Sequence, residues 1–410
     1  MQRIIPIRCA ALAAAITVTM ALSSCSREND TAEDMTYNGS YHKIEGGTSV
    51  LVENEQTDLP EDTIYIPEDM ETIYGQSFLS AEEKEIYSSL VKAIKAEEAS
   101  VPMDADGETY TKILNLIGIE QMGIGNVADR KVGSFDMDTQ RFPVEFTYRF
   151  SREEMSSMNR AAESAANEIM SGLTDEMTAY DKLKYFHDYL ITHCESSSND
   201  IYANTIYGAL VKGKALCEGY AKSFSYLCNK AGIENIIVTG ETDTAHMWNM
   251  VKMNGNWYHV DVTWDKPEKR ISNAYPDMVL YQYFLVTDSV IENNHTIWTI
   301  TSPPPKAYGT TENYYIKEGF YADSEDITES IIEAAIRNAV SQGKHTASVK
   351  FSTNNMLLST VGSLIDGAEA EENYLKSKIS EISSEFNIKL NVSWTDYYSQ
   401  YRILMFIIDY

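Results

Sequence analysis

A two-residue turn, Asn254-Gly255, is the feature that most constrains the fold of this chain. Asn-Gly between two runs of β-forming residues is the strongest short-range signal for a hairpin. The flanking runs are residues 246–253 and residues 257–264, both rich in aromatic and apolar side chains. The sequence therefore predicts an antiparallel strand pair around this turn.

The length of the turn determines which residues face each other across the hairpin. With a two-residue loop, His246 lies opposite Thr263 and Trp248 lies opposite Asp261. Paired residues point to the same face, so His246 and Asp261 become diagonal neighbours with Cα atoms about 7–8 Å apart. A carboxylate at that distance can hold one imidazole nitrogen and leave the other for chemistry.

A second histidine, His259, is predicted on the same face, opposite Met250. Its position makes it a rival for the role of general base. We favour a structural role for it, as a partly solvated strand residue beside Trp257. His246 is therefore the better candidate for the base.

Cys217 precedes a segment whose helical periodicity predicts a helix that buries one face. The apolar residues that form this pattern are Tyr220, Phe224, Leu227 and Ala231. Gly232 follows where a glycine commonly ends a helix. Cys217 is thus predicted at a helix N-terminus, where unpaired N–H groups and the helix dipole lower a thiol pKa and can bind an oxyanion. Taken alone, Cys217 would more readily be a small buried apolar residue.

Cys217, His246 and Asp261 together supply a nucleophile, a base and a group that orients the base. A zinc ion bound by the same three side chains is an alternative. Their spacing matches no common zinc pattern, so we expect neither a metal nor a cofactor.

Three separated blocks of sequence resemble the transglutaminase-like core of bacterial proteins. The blocks are Gly-Lys-Ala-Leu-Cys-Glu-Gly-Tyr-Ala around Cys217, Ala-His-Met-Trp-Asn around His246, and Trp-Tyr-His-Val-Asp-Val-Thr-Trp-Asp around Asp261. Residues 281–288 also resemble the segment that often closes this module. The resemblance covers roughly residues 175–300 and implies an α+β, papain-like fold, with the cysteine on a helix packed against an antiparallel sheet.

The resemblance also implies a reaction, acyl transfer on amide or peptide bonds, with Cys217, His246 and Asp261 as catalytic groups. The enzyme would then be a protease or amidase, a deamidase or a transglutaminase, because water and amines are both possible acceptors. The Cys217 N–H is one expected oxyanion donor. The remaining candidates are Tyr207 and Asn204 as a second donor, with Trp248, Asn249 and Trp264 as supporting residues.

The alternative function is a non-catalytic envelope scaffold or binding protein that keeps the transglutaminase-like fold. Loss of the cysteine or the histidine would be expected of such a protein. Cys217, His246 and Asp261 are all present, which favours the enzyme.

The N-terminus reads as a processing signal. Arg3 and Arg8 form a positive region before a short apolar stretch, residues 9–22, which suits a signal peptide. It ends in Leu-Ser-Ser-Cys, which resembles a bacterial lipobox with Cys25 as the lipidated residue. We expect a lipoprotein anchored in the cell envelope outside the cytoplasm; an ordinary secretory peptide cleaved nearby is the alternative.

The rest of the chain is predicted to fold as α+β units on either side of the core. Two capping boxes, at Ser80 and Ser151, mark helix starts in the first unit. The predicted divisions are a signal peptide (1–25), an acidic tether with a short strand near 63–66 (26–75), an N-terminal α+β domain (76–170), the catalytic core (171–300) and a C-terminal α+β accessory domain (301–410).

Cysteine count and charge limit the partners. Three cysteines remain beyond Cys25, and a Cys194–Cys228 disulfide would leave Cys217 as a thiol. The formal net charge of -28 repels phosphate backbones and argues against nucleic-acid binding. The expected partners are a protein or peptide substrate, which includes cell-wall peptides, and a membrane reached through the lipid anchor.

Overall fold

The computed structural model describes residues 63–410, except 104, 125–126, 135, 138–140, 268–272, 366–373 and 394–400. The predicted signal peptide, the lipidation site Cys25 and most of the predicted tether lie outside the described residues. Within the described part of the chain, no helix is both long enough and apolar enough to span a bilayer.

Helices and strands alternate in blocks along the chain. The described α-helices are α1 (Ala81–Lys95), α2 (Gly107–Glu120), α3 (Arg152–Ser171), α4 (Ala179–His193), α5 (Ile206–Leu210), α6 (Cys217–Lys230), α7 (Val262–Asp265), α8 (Asp288–Ile291), α9 (Tyr314–Lys317), α10 (Glu325–Ser341), α11 (Asn354–Ile365) and α12 (Tyr374–Phe386). The described strands are β1 (Ser100–Pro102), β2 (Val127–Val132), β3 (Pro143–Tyr148), β4 (Glu195–Ser196), β5 (Lys214–Ala215), β6 (Asn235–Glu241), β7 (Ala245–Met253), β8 (Asn256–Val260), β9 (Phe284–Val286), β10 (Thr296–Ile297), β11 (Tyr321–Ala322), β12 (Thr346–Phe351), β13 (Lys389–Ser393) and β14 (Ile403–Asp409).

The strands form three main sheets that follow the chain order. The first has the order β1-β3-β2, the central one β10-β6-β7-β8-β9 and the last β11-β12-β14-β13, while β4 and β5 make a short parallel pair. All pairings in the central sheet are antiparallel. Antiparallel sheets with helices packed on them define an α+β fold, as predicted.

The predicted hairpin forms with the predicted register. Asn254 and Gly255 have φ angles of 50° and 80°, which a two-residue turn of this kind requires. Met250 lies opposite His259, as a two-residue loop demands. Turn chemistry alone is enough to set this register.

The predicted second strand of the hairpin is too long. β8 ends at Val260, so the predicted pairs His246–Thr263 and Trp248–Asp261 do not form. Asp261 instead caps the short helix α7, and its side chain accepts the backbone N–H of Trp264. The cap favours a helix over a further strand residue, because an N-cap aspartate accepts a backbone N–H that is otherwise unpaired at the start of a helix. The chain therefore leaves the sheet at Asp261.

Helix α6 begins at Cys217, with Leu216 as its N-cap, and Gly232 follows it with a φ of 69°. The predicted helix start and end are therefore correct. The prediction that it buries a single face is wrong, because every residue from Gly219 to Cys228 is buried. Contacts with β7, α4 and α5 enclose the helix on several sides.

The N-terminal part begins earlier than predicted. Both predicted capping boxes are present, at the starts of α1 and α3. The predicted strand at 63–66 is absent, but Ile64 is buried and its N–H donates to Lys95 O at 3.1 Å. Met70 is also buried. The predicted tether boundary at residue 75 is therefore wrong, because these apolar side chains pack into the folded part.

The C-terminal sheet is covered by α10, α11 and α12. Helix α11 was not predicted. Its apolar residues and those of the sheet belong to the same hydrophobic cluster as the central sheet, which contains Phe284, Tyr315, Phe351 and Leu357. The C-terminal part thus shares a continuous core with the central part.

Glu120 is a buried carboxyl at the end of α2, with 2% of its surface exposed. Its Oε1 accepts the backbone N–H groups of Gly75 and Gln76. Burial raises the pKa of Glu120 from 4.5 to about 7, because the low-dielectric surroundings disfavour the charged form more than these N–H groups stabilise it. Between pH 4.5 and about pH 7, the Glu120 carboxyl is protonated in the folded state and ionised in the unfolded chain.

The free energy of unfolding should therefore fall as the pH rises through this interval. Between pH 4.5 and pH 8, the free energy of unfolding of wild type should fall on the order of 3 kcal/mol further than that of Glu120→Gln, measured by urea unfolding. Glu329→Gln, on the exposed surface of α10, is the matched control and should follow wild type. A stability difference between wild type and Glu120→Gln that stays constant with pH would contradict the assignment.

Candidate active site

Asp261 is the centre of a buried hydrogen-bond network. Its Oδ2 lies 2.6 Å from His246 Nε2, and its Oδ1 accepts the Trp264 N–H at 3.0 Å. Its backbone N–H donates to Tyr283 O at 3.2 Å. The predicted meeting of His246 and Asp261 therefore occurs, although Asp261 follows the strand instead of lying within it.

A third residue, His295, also contacts this carboxylate. His295 Nε2 lies 3.0 Å from Asp261 Oδ2, and His295 Nδ1 lies 2.7 Å from Asn294 Oδ1. His295 is not among the residues that the sequence predicted for the site. It directly precedes β10, a strand of two residues, which is too short to give a periodic signal.

Asp261 is held in its ionised form. Burial alone would raise its pKa, but the attraction of His246 and the hydrogen bonds from His246 and His295 outweigh that effect and hold the pKa well below its usual value. A buried carboxylate of this kind keeps its negative charge next to the imidazole. That charge favours protonation of His246.

His246 is 0% exposed and packs against aromatic side chains. Its ring stacks on Trp248, with centroids 5.8 Å apart, and meets the edge of Trp264 at 6.3 Å. These rings keep water from the bond to Asp261. Hydrogen bonds between charged groups are stronger where water is excluded.

His259 has both ring nitrogens occupied. Its Nδ1 accepts the Trp248 Nε1–H at 3.0 Å, so its Nε2 carries the proton and donates to Asp288 Oδ1 at 3.1 Å. Burial lowers the pKa of His259, with the bond to Asp288 opposing it. The prediction that His259 is partly solvated is wrong. Its role is to hold Trp248 against His246.

Cys217 occupies the first position of α6 and is 1% exposed. One hydrogen bond fixes this helix to the strand that carries His246. It runs from Asn249 Nδ2, on β7, to Ala221 O, on α6, at 3.0 Å. Asn249, predicted as a supporting residue, therefore links the element of the thiol to the element of the imidazole.

The two candidates for a second oxyanion donor lie in different settings. Ala203 O accepts the Leu216 N–H at 2.9 Å, which places Asn204 in the chain segment beside the start of α6. Among the described residues, Asn204 Oδ1 is buried and has no hydrogen-bond partner. Tyr207 instead packs edge-on against Tyr202, with ring centroids 5.2 Å apart.

Cys194, Cys217 and Cys228 are all present as thiols, so the disulfide considered between Cys194 and Cys228 does not form. Burial raises the pKa of Cys194 to about 12 and that of Cys228 well above its ordinary value. Cys194 caps the C-terminal end of α4, and Cys228 lies near the end of α6. Of the three, Cys217 is the thiol at a helix N-terminus.

Among the described residues, His246, Asp261 and His295 form a group that could offer ligands to a metal, with donor atoms within 4.8 Å of one another. This set differs from the zinc alternative that the sequence suggested, because it contains His295 in place of Cys217. The imidazole–carboxylate distances of 2.6 and 3.0 Å are those of direct hydrogen bonds. The grouping is therefore explained as a hydrogen-bonded network.

A cavity of about 390 Å³ adjoins this network. Its lining includes His295 and the charged side chains of Asp288, Glu292 and Lys306. Lys306 Nζ lies 3.0 Å from Asp288 Oδ2. The cavity thus has a mixed charged lining on the side of His295.

Comparison with known proteins identifies this part of the chain. Residues 163–262 match the model of the transglutaminase-like superfamily, and they contain Cys217, His246 and Asp261. This central part of the chain is therefore similar to that superfamily. His295 lies beyond the matched residues.

Two curated relatives are kyphoscoliosis peptidases. The human protein is 24% identical over 197 residues, which are 42% of this chain and 30% of the relative. The mouse protein is 24% identical over 200 residues, with the same coverage. The chain thus spans less than a third of the length of these relatives.

Two solved structures also resemble part of the chain. One is a TGase that is 14% identical, with a TM-score of 0.24, over 40% of this chain and 48% of the other. The second, assigned as a cysteine protease of Cytophaga hutchinsonii, is 12% identical with a TM-score of 0.25, over 41% of this chain and 65% of the other. At these scores the structures add nothing to the assignment, which rests on the sequence match.

Gly219 lets the start of α6 lie close to the loop before α5. A Cβ at this position would come within 2.2 Å of Ala203 O, a backbone atom that cannot rotate away. We expect Gly219→Ala to lower the free energy of unfolding by about 1–3 kcal/mol through overpacking, measured by thermal and urea unfolding.

Gly118→Ala is the matched control for this substitution. Gly118 also lies within a helix, α2, and a Cβ there would meet nothing within 4 Å. It should be neutral or stabilising by up to about 1 kcal/mol, because alanine favours helices. Equal stability changes in the two variants would show that the close approach at Gly219 does not constrain the helix.

Proposed function

We propose that this protein is a cysteine enzyme that transfers acyl groups from amide or peptide bonds. Cys217 is the nucleophile, His246 the general base and acid, and Asp261 the group that orients His246. The observation that carries the proposal is the 2.6 Å contact between the buried His246 and Asp261 side chains. It lies on the sheet against which the helix of Cys217 packs.

In this proposal His246 exchanges its proton with the thiol through Nδ1, since Nε2 is held by Asp261. The Cys217 thiolate attacks the carbonyl carbon and forms a tetrahedral intermediate. The carbon–nitrogen bond then breaks as the imidazolium donates its proton to the leaving amine, which leaves a thioester on Cys217. His246 next takes a proton from the acceptor, whose attack on the thioester releases the thiolate.

The developing oxyanion needs hydrogen-bond donors. The backbone N–H of Cys217, at the first position of α6, is one donor in the proposal. Asn204 is favoured over Tyr207 as the second, through its Nδ2–H, because it follows Ala203, whose carbonyl accepts the Leu216 N–H at the start of α6. Trp248 and Asn249 support the site indirectly, through His246 and α6.

The proposed substrate is a protein or peptide, and the acceptor is water or an amine. The human relative is named a peptidase, which supports hydrolysis. Mass spectrometry of candidate proteins and cell-wall peptides treated with wild type or Cys217→Ala separates the reactions. New termini indicate proteolysis, a mass gain of one dalton indicates deamidation, and adducts indicate cross-linking.

We also propose that the enzyme acts outside the cytoplasm, anchored in the cell envelope by a lipid on Cys25. The support is the lipobox-like sequence at residues 22–25. Cys25→Ala should shift the protein from the membrane fraction to the soluble fraction. Unchanged membrane association in this variant would contradict the anchor.

Alkylation of Cys217 tests the catalytic pair without knowledge of the substrate. At pH 6 a thiolate paired with an imidazolium should react with iodoacetamide about tenfold or more faster than a free model thiol, followed by peptide mass mapping. His246→Ala should remove this advantage. Cys194 and Cys228 serve as internal controls that react slowly, because burial raises both pKa values.

The opposite result would favour the non-catalytic scaffold. If Cys217 reacts no faster than the model thiol and His246→Ala has no effect, the buried pair is structural. A melting temperature measured for each variant ensures that a change in rate does not come from unfolding.

A further inference from the structure

We propose that His295 positions Asp261 for catalysis, and that Asn294 and Tyr401 hold His295 in place. The C-terminal part of the chain would thereby act on the catalytic histidine. This inference rests on the proposed function, since it concerns the same carboxylate.

The first step is that two imidazoles share one carboxylate oxygen. Asp261 Oδ2 lies 2.6 Å from His246 Nε2 and 3.0 Å from His295 Nε2. Rotation of the carboxylate would break both bonds at once. His295 therefore adds a second restraint that keeps Oδ2 directed at His246, while the Trp264 N–H holds Oδ1.

The second step is that His295 is itself held by its other nitrogen. Nδ1 lies 2.7 Å from Asn294 Oδ1, and Asn294 Nδ2 lies 2.5 Å from Tyr283 Oη and 2.9 Å from Tyr401 Oη. The two tyrosine hydroxyls are 2.6 Å apart. A hydrogen-bonded chain thus runs from Tyr401, just before β14, to Asp261.

The third step is that the His295 end of this chain is shielded from water. His295 is buried, and its ring packs against Trp248, Trp264 and Tyr283 with centroids 4.9–5.3 Å apart. Hydrogen bonds in such surroundings resist competition from solvent. The other titratable groups that contact His295 or border it across the cavity are His246, His259, Asp288, Glu292 and Lys306.

The consequence concerns the thiolate of Cys217. A well-held Asp261 stabilises the imidazolium of His246, which in turn stabilises the thiolate at low pH. Loss of the His295 N–H should reduce the thiolate near pH 6. The effect should shrink toward pH 9, because a rising pH favours the thiolate whether or not a neighbouring imidazolium stabilises it.

The test is the rate of Cys217 alkylation by iodoacetamide across this pH range in the full chain. His295→Leu removes the donor and should slow the reaction at pH 6 about tenfold, as expected for one charge-assisted hydrogen bond, with a smaller loss at pH 9. His295→Gln keeps an N–H near the position of Nε2 and should recover most of the rate. Equal losses in both variants, or equal losses at both pH values, would overturn the proposal.

A distal variant tests the chain without altering the site. Tyr401→Phe removes one hydroxyl and should slow alkylation at pH 6 about threefold, the effect of one neutral hydrogen bond. Tyr410→Phe, at an exposed tyrosine of the same sheet region, is the control and should match wild type. If His295→Leu does not fold, Tyr401→Phe decides: a wild-type rate profile in that variant overturns the role of the C-terminal part.

Failure of this inference differs from failure of the proposed function. If His246→Ala slows alkylation and His295→Leu does not, the catalytic pair stands and His295 is structural. If Cys217 reacts at the same rate in wild type and in His246→Ala, the proposed function itself fails.

Discussion

The buried charge of Asp261 is the constraint on which the centre of this molecule depends. A carboxylate without water is costly unless donors surround it. Here the donors come from different parts of the chain: the hairpin supplies His246, the turn into α7 supplies the Trp264 N–H, and the segment before β10 supplies His295. Folding these segments around Asp261 satisfies the charge and, at the same time, assembles the candidate site.

Local signals in the sequence were enough to predict much of this arrangement. The turn Asn254-Gly255 set the register of β7 and β8, and helical spacing located the start of α6 at Cys217. Both depend on interactions between residues that are close in sequence. The proximity of His246 and Asp261 followed from the register, even though the strand ends one residue before Asp261.

The features that could not be predicted depend on contacts between distant segments. The alternation through Val260, Asp261 and Val262 looks like a strand, but Asp261 caps α7 and its carboxylate also contacts His246 and the distant His295. His295 lies 34 positions from Asp261 and reaches it only because two-residue strand β10 pairs with β6. No local pattern gives that pairing. The burial of α6 on several sides likewise arises from the packing of other helices.

The depth of Cys217 and His246, at 1% and 0% exposure, has a consequence for how an acyl donor would reach them. A peptide cannot touch the sulfur until covering side chains move. The free energy of that opening is subtracted from the binding free energy of every ligand. The apparent affinity is therefore lower when the open form is less populated. Selectivity would then depend on which peptides stabilise the open form, as well as on which fit the reacting groups.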